Sequence, residues 1–178
     1  PDSLARRYPK DYDSVVSLTD YSFAERGYRY YNGEALFEFG AGLSYTSFDV
    51  KCGGVEVNEE GGNVGVDCKV ANVGDRRGDE VLLVFSSVGD DIRGAAKHPV
   101  PKKRLVDFER VTLEAGEETT VSFNIDSQRL GLTTTRGDLT LYAGDYTLSI
   151  TNGNTANESK PFTVSGEKIW ARPSYDNN

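Results

Sequence analysis

Between Val64 and Val70 every second residue is apolar: Val64, Val66, Cys68 and Val70 alternate with Gly65, Asp67 and Lys69. A period of two sends one set of side chains to one face of an extended chain, so this stretch reads as a half-buried strand. The same period recurs along the sequence. Phe48, Val50 and Cys52 alternate, and Val55 and Val57 follow a Gly53-Gly54 pair that reads as a bulge. "EVLLVF" (80–85) is apolar on both faces, as a central strand is. "RLVDFERVTL" (104–113) is extended, and Val121, Phe123 and Ile125 alternate. Tyr146, Leu148 and Ile150 face inward from a later strand, and "PFTV" (161–164) closes the series. Seven main strands result, near 46–57, 64–71, 80–86, 104–113, 119–125, 145–151 and 160–164.

Turn-forming runs separate them, among them "NEEGGN" (58–63), "NVGDRRGD" (72–79) and "EAGEE" (114–118). Short strands at this spacing predict a mainly β chain, a seven-strand antiparallel sandwich of immunoglobulin-like or fibronectin type III-like kind. The long loop 86–103 carries prolines and glycines that exclude a helix, whereas 126–132 reads as one helical turn. Residues 1–27 show neither period and read as irregular structure or the end of a preceding domain. The last residues, 166–178, form a polar tail around Trp170.

Bulk properties narrow the functional classes. The 178 residues suit one domain plus an appendage. A net charge of −8 repels a phosphate backbone, so nucleic acid is not an expected partner. No apolar run approaches the ~20 residues that span a bilayer, so neither is a membrane. The chain opens on Pro1 and holds no methionine, which reads as a processed or excised C-terminal piece of a longer protein.

The irregular N-terminal extension is rich in aromatic residues. Tyr28, Tyr30, Tyr31, Phe37, Phe39, Tyr45 and Phe48 fall within 21 residues, in a chain that is 11% aromatic. Rings serve sugar stacking and they serve domain interfaces, since each buries on the order of 150–250 Å². The interface or core reading is preferred here. Phe37, Phe39 and Phe48 lack a polar handle and are the leading core candidates. Arg29, between tyrosines, suits an ion pair or stacking contact across an interface. Gly40 and Gly42 read as points of close backbone approach or positive φ.

These residues also resemble a known family. "GYRYYNGEALFEFGAGLSYTSF" (27–48) is similar to the segment that ends the second domain of glycoside hydrolase family 3 enzymes, with its Phe-Gly-x-Gly-Leu-Ser-Tyr-Thr-x-Phe run at Phe39–Phe48. "VANVGDRRGDEVLLVF" (70–85), "RLVDFERVTLEAGEETTVSFNI" (104–125) and "AGDYTLSI" (143–150) resemble, in order, motifs of that family's C-terminal fibronectin type III-like domain. The resemblance runs from about residue 25 to residue 164. It implies that 1–45 is the tail of a preceding α/β domain plus an interdomain segment, that 46–165 is the sandwich, and that 166–178 is a tail.

Family members are mostly β-glucosidases and β-xylosidases that work by a retaining mechanism, with two carboxylates about 5–5.5 Å apart. The family keeps its nucleophilic aspartate in an upstream barrel and its acid/base glutamate in the α/β domain that follows. Neither segment is present. Trp170, in "KIWARP", has no Ser-Asp before it, so the nucleophile motif is missing too. The resemblance therefore implies a non-catalytic portion that packs on upstream catalytic domains, which bind the β-glycoside substrate. β-Glucosidase is the expected activity of the whole. On that reading Tyr28, Arg29, Tyr30, Tyr31, Phe37, Phe39, Tyr45 and Phe48 form interdomain interface or core. A free-standing carbohydrate- or protein-binding module is the alternative.

A hairpin with its loop centred near Glu60 places Cys52 opposite Cys68, within disulfide range, and the bridge is preferred to two buried thiols. Asn157-Glu158-Ser159 is an N-glycosylation sequon. Bridge and sequon together predict a secreted protein. Two cysteines and one histidine are too few for a zinc site, and no other cofactor is expected. Arg77-Gly78-Asp79 and Arg136-Gly137-Asp138 spell an adhesion tripeptide, but both fall in expected turns, where such residues are common. Lys97, His98, Lys102, Lys103 and Arg104 form a basic cluster in the long loop, read first as solvated, and otherwise as touching an acidic neighbouring domain or reaching toward the active-site mouth. His98 is not an expected catalytic base, because no nucleophile motif accompanies it.

Overall fold

The structure, a computed structural model, describes residues 27–31, 33–58, 63–154 and 157–171. The readings made for 1–26, for the centre of the 58–63 turn and for the end of the C-terminal tail lie outside the described residues. The mainly β antiparallel sandwich is observed. In one sheet β3 (Val64–Asn72) is central, with β6 (Glu118–Ile125) on one side and β1 (Phe48–Cys52) and β2 (Glu56–Val57) sharing the other. The second sheet has the order β10 (Asn157–Val164), β9 (Gly144–Thr151), β4 (Gly78–Val88), β5 (Arg104–Leu113).

Alternation explains the layering. Val64, Val66, Cys68 and Val70 of β3, and Val121, Phe123 and Ile125 of β6, are all buried. They meet Leu82, Val84, Tyr146, Leu148, Ile150, Phe162 and Val164 of the other sheet in one core. Each fully buried aliphatic or phenyl side chain contributes about 1.5–3 kcal/mol. β4 is buried on both faces for a second reason. Leu83 and Phe85 point away from this core and are covered by the N-terminal segment.

The bulge expected at Gly53-Gly54 is present. Cys52 pairs with Cys68 and Glu56 with Gly65, so three residues (53–55) face two (66 and 67) on β3. The bridge is present as well: Cys52 and Cys68 form a disulfide with a Cα–Cα separation of 4.0 Å.

The reading of 86–103 as free of helix is corrected. Asp90–Ala95 forms a helix, which follows the short α1 (Gly27–Tyr30) in chain order and is called α2. The prolines at 99 and 101 begin only after α2 has ended, so they cannot break it. Asp90 and Asp91 lie in its first turn, which suits the positive end of a helix, and Ile92 buries itself in the core. That burial offsets the roughly 1 kcal/mol cost of Gly94 within the helix.

A small third sheet was not foreseen. β8 (Leu139–Leu141) pairs with β7 (Leu132–Thr133) on one side and with β11 (Lys168–Trp170) on the other. Part of the C-terminal segment is thus a strand. The 3₁₀ turn Ser127–Leu130 fits the single helical turn expected there, with the Asp126 side chain accepting from the Gln128 N–H.

Candidate functional site

The N-terminal segment lies on the outer face of the sheet β10-β9-β4-β5. Its seat is a ring cluster: Tyr28 and Phe39 have centroids 4.4 Å apart, and Phe85 meets them edge-on at 5.8 and 6.0 Å. Edge-to-face contacts of this kind add about 0.5–1.5 kcal/mol beyond burial. Main-chain and polar contacts fix the same segment. Lys102 N–H donates to the Arg29 carbonyl at 2.7 Å, and Leu105 N–H donates to the Tyr28 hydroxyl at 3.3 Å. Lys103 Nζ lies 5.1 Å over the Phe85 ring and donates to Glu38 at 2.9 Å.

Further along, Gly40 adopts φ +90°, and a Cβ there would collide with the Leu83 side chain. Gly40 thus combines close approach with positive φ, as expected. Gly42 does neither, since nothing lies within 4 Å of an added Cβ and its φ is not positive. Its carbonyl instead accepts from Asn154 Nδ2 at 2.5 Å. Thr46 Oγ1 then donates to Asn72 Oδ1 at 2.7 Å, where the chain joins β1. Asn72 is buried, and its Nδ2 donates to the carbonyls of Arg76 and Leu113 at 2.8 and 3.0 Å.

The sequence-predicted residues therefore divide. Phe48 is in the sandwich core. Tyr28 and Tyr30 are half-buried, Arg29 and Tyr31 are exposed, and Phe39 keeps 43% of its surface exposed. Phe37, a core candidate by its chemistry, is outside the core at 85% exposed, and Tyr45 is 92% exposed. Two residues that the reading of rings passed over join them: Leu36 at 89% and Leu43 at 105%. For Leu36 the available signal was its place beside Phe37.

Tyr28, Tyr31, Phe37, Phe39, Lys102 and Lys103 line a cleft of about 540 Å³. Glu38 lines it too, paired with Lys103, and two arginines lie close to Lys102 and Arg29. Arg104 donates to the carbonyls of Arg129 and Gly131, and burial followed by the charge of Arg29 lowers its pKa from the ordinary value. Arg93 donates to the carbonyls of Val100, Pro101 and Lys102.

The other sequence features sit elsewhere. His98 bridges the Pro99 carbonyl and the Tyr142 hydroxyl, each at 3.1 Å, with no nucleophile in that network. In the first adhesion-like tripeptide, hydrogen bonds from Arg110 and then Thr112 occupy Asp79 and lower its pKa. In the second, Arg136 folds back to within 3.5 Å of Asp138, whose side chain is only 22% exposed. Asn157 is exposed at the start of β10. Among the described residues no His/Cys/Asp/Glu group is arranged to hold a metal ion, and no helix is long and apolar enough to cross a membrane.

Comparison with known proteins accounts for this arrangement. The family described as fibronectin type III-like domain matches residues 84–153. "Probable exo-1,4-beta-xylosidase bxlB" of Aspergillus fumigatus is 31% identical over 186 residues, covering 91% of this chain and 24% of that protein. "Thermostable beta-glucosidase B" of Acetivibrio thermocellus is 38% identical over 107 residues, covering 57% of this chain and 14% of that protein. Among solved structures, a beta-glucosidase from Kluyveromyces marxianus superposes with TM-score 0.68 at 30% identity, covering 77% of this chain and 16% of that one. Beta-glucosidase 3B from Thermotoga neapolitana does so with TM-score 0.66 at 26% identity, covering 78% and 19%. The chain spans about a quarter of the length of the Aspergillus xylosidases it matches. With its ordered motifs, its sandwich and these relatives, the chain belongs to the C-terminal part of glycoside hydrolase family 3 and carries that family's fibronectin type III-like domain.

Proposed function

We propose that this chain is the structural C-terminal portion of a secreted, retaining β-glycosidase, and that residues 27–45 dock it onto the catalytic domains. One observation carries the reading. Leu36, Phe37, Leu43 and Tyr45 are 85–105% exposed on a segment whose backbone is tied to the sandwich at Arg29 and Gly42. Apolar groups held out by a fixed backbone are suited to burial by a partner. The relatives' far greater length supplies the partner, namely the rest of the same enzyme. The two carboxylates of a retaining mechanism belong to that part.

The sugar is also chosen there. The xylosidases cover more of this chain than the glucosidase B does, so a terminal β-xyloside is the first substrate to try and a β-glucoside the second. The disulfide and the sequon at Asn157 support export to an oxidising compartment.

The test compares this chain with the longer protein that carries it. The longer protein should hydrolyse aryl β-xyloside or β-glucoside and the chain alone neither. Turnover by the purified chain would overturn the reading. Enzymatic deglycosylation of the secreted protein should release a glycan from Asn157, and a mass unchanged by that treatment would remove the sequon from the argument for export.

A further inference from the structure

We infer that the surface of the catalytic part that receives this segment is acidic, and that it sets carboxylates against Arg29 and Lys102 beside the aromatic cleft. This rests on the docking reading above and adds the chemistry of the partner face.

The argument begins with charge. The chain carries −8 overall, yet Arg29, Arg93, Lys102, Lys103, Arg104 and Arg129 gather around the start of β5. Two of the six have a carboxylate: Lys103 pairs with Glu38 at 2.9 Å and Arg129 with Asp107 at 3.2 Å. Arg93 and Arg104 spend their N–H groups on backbone carbonyls, which orient a guanidinium without neutralising it. Among the described residues no carboxylate pairs with Arg29 or Lys102. Among the described residues the Arg29 side chain reaches the Tyr28 ring and hydroxyl, and it bears on Arg104 as a like charge.

Like charges held together on an acidic protein are unfavourable unless a partner opposes them, and complementary potentials fix the register in which two surfaces meet. The cleft beside them, about 540 Å³ and lined by four rings, has room for a few apolar side chains from the same partner. A peptide face with apolar groups ringed by Asp or Glu fits both halves of the surface. A sugar, being neutral, would leave the cations unanswered.

The experiment uses the full-length enzyme and this chain side by side, in 20 mM and in 500 mM NaCl. Arg29→Glu with Lys102→Glu should lower the Tm of the enzyme by about 3–6 °C at low salt, from the loss of two interfacial ion pairs. Most of that shift should vanish at high salt, where the Debye length falls to a few ångströms. In the chain alone the same pair of changes should leave Tm level or raise it, because Arg104 loses a like charge. Phe37→Ala separates the two readings, as it should lower the Tm of the enzyme and leave the chain unchanged. If Phe37→Ala destabilises the enzyme while charge reversal does not at low salt, the acidic face is refuted and docking stands. If Phe37→Ala is also neutral, both fall. If inorganic phosphate raises the Tm of the chain alone and the reversal abolishes that rise, the cations form a small-anion site and the acidic face is refuted.

Discussion

Reducing the disulfide gives the sharpest test of how the sandwich holds its first strand. Among the described residues β1 pairs only with β3, and Cys52 and Cys68 sit opposite each other at the end of that ladder. The bridge closes a loop of 16 residues in the unfolded chain. The chain-entropy relation then gives about 3 kcal/mol of stability at 25 °C. Reduction is cleaner than mutation, because it keeps both sulfurs and leaves the buried site of Cys68 filled. With a urea m-value of about 2 kcal/mol/M, the midpoint should fall by about 1.5 M. Before reduction, intact mass should show two hydrogens missing, and native thiol labelling should be absent. In hydrogen exchange, β1 amides should lose protection ahead of β9 and β4, because β1 is an edge strand and those two are central. Full reduction with a midpoint shift below about 0.3 M would refute the reasoning, as would alkylation of both cysteines in the native, unreduced protein.

Tyr146 is buried with its hydroxyl donating to the Tyr142 carbonyl, and burial pushes its pKa up to about 12. Its contribution is therefore complete below the unfolded tyrosine pKa of about 10 and is lost as pH rises from there to 12. Denaturation across that window should show about 2–3 kcal/mol of decline, flattened in Tyr146→Phe. Asn72→Ala strands the carbonyls of Arg76 and Leu113, the Thr46 hydroxyl and the Gly74 N–H, and should cost about 2–4 kcal/mol in a urea melt. Phe39→Ala removes a ring that is 43% exposed, so the chain alone should lose about 2 kcal/mol rather than the 3–5 of full burial, with sugar preference in the whole enzyme unchanged. A change of substrate preference without loss of Tm would favour sugar stacking instead.

Strand periodicity made the sandwich legible in advance. Each of β1, β3, β6 and β9 buries alternate residues against one core, so a pattern of two survives in the sequence. The disulfide followed from the same parity. α2 was missed because six residues carry too little period to outweigh neighbouring glycines and prolines, and only the burial of Ile92 reveals what holds it. The strands β7, β8 and β11 are two or three residues long, and their pairing is set by tertiary contact rather than local preference. In the N-terminal segment the ring content was plain, but the fate of each ring was not. Phe37, Phe39 and Phe48 share one chemistry, yet exposure runs from 85% to 43% to 7%. Phe48 lies on a strand with a fixed inward parity, whereas the other two lie where no period assigns a face.

The two edges of the β10-β9-β4-β5 sheet show why the docking segment belongs physically to the sandwich. An open edge invites another strand. At β10, Lys160 and Glu158 stand opposite Leu148 and Ile150, on the core-facing side, and pair with each other at 2.9 Å. Pro161 removes a donor from the same edge. Those are defences built into the strand. β5 bulges at Val106 and sets Arg104 opposite Ser86 on the core-facing side, and other elements close the rest of that edge. Arg129 donates to the Val106 carbonyl at 2.9 Å, and Tyr28 takes the Leu105 N–H. Removing residues 27–45 would therefore uncover Leu83 and Phe85 and free an edge donor together. A fragment beginning at 46 is then expected to keep its core but to associate, whereas one beginning at 27 keeps the edge closed and offers only the rings that the catalytic part is proposed to cover. The segment joins two roles in one backbone: its inner side completes this sheet, and its outer side is left for the partner.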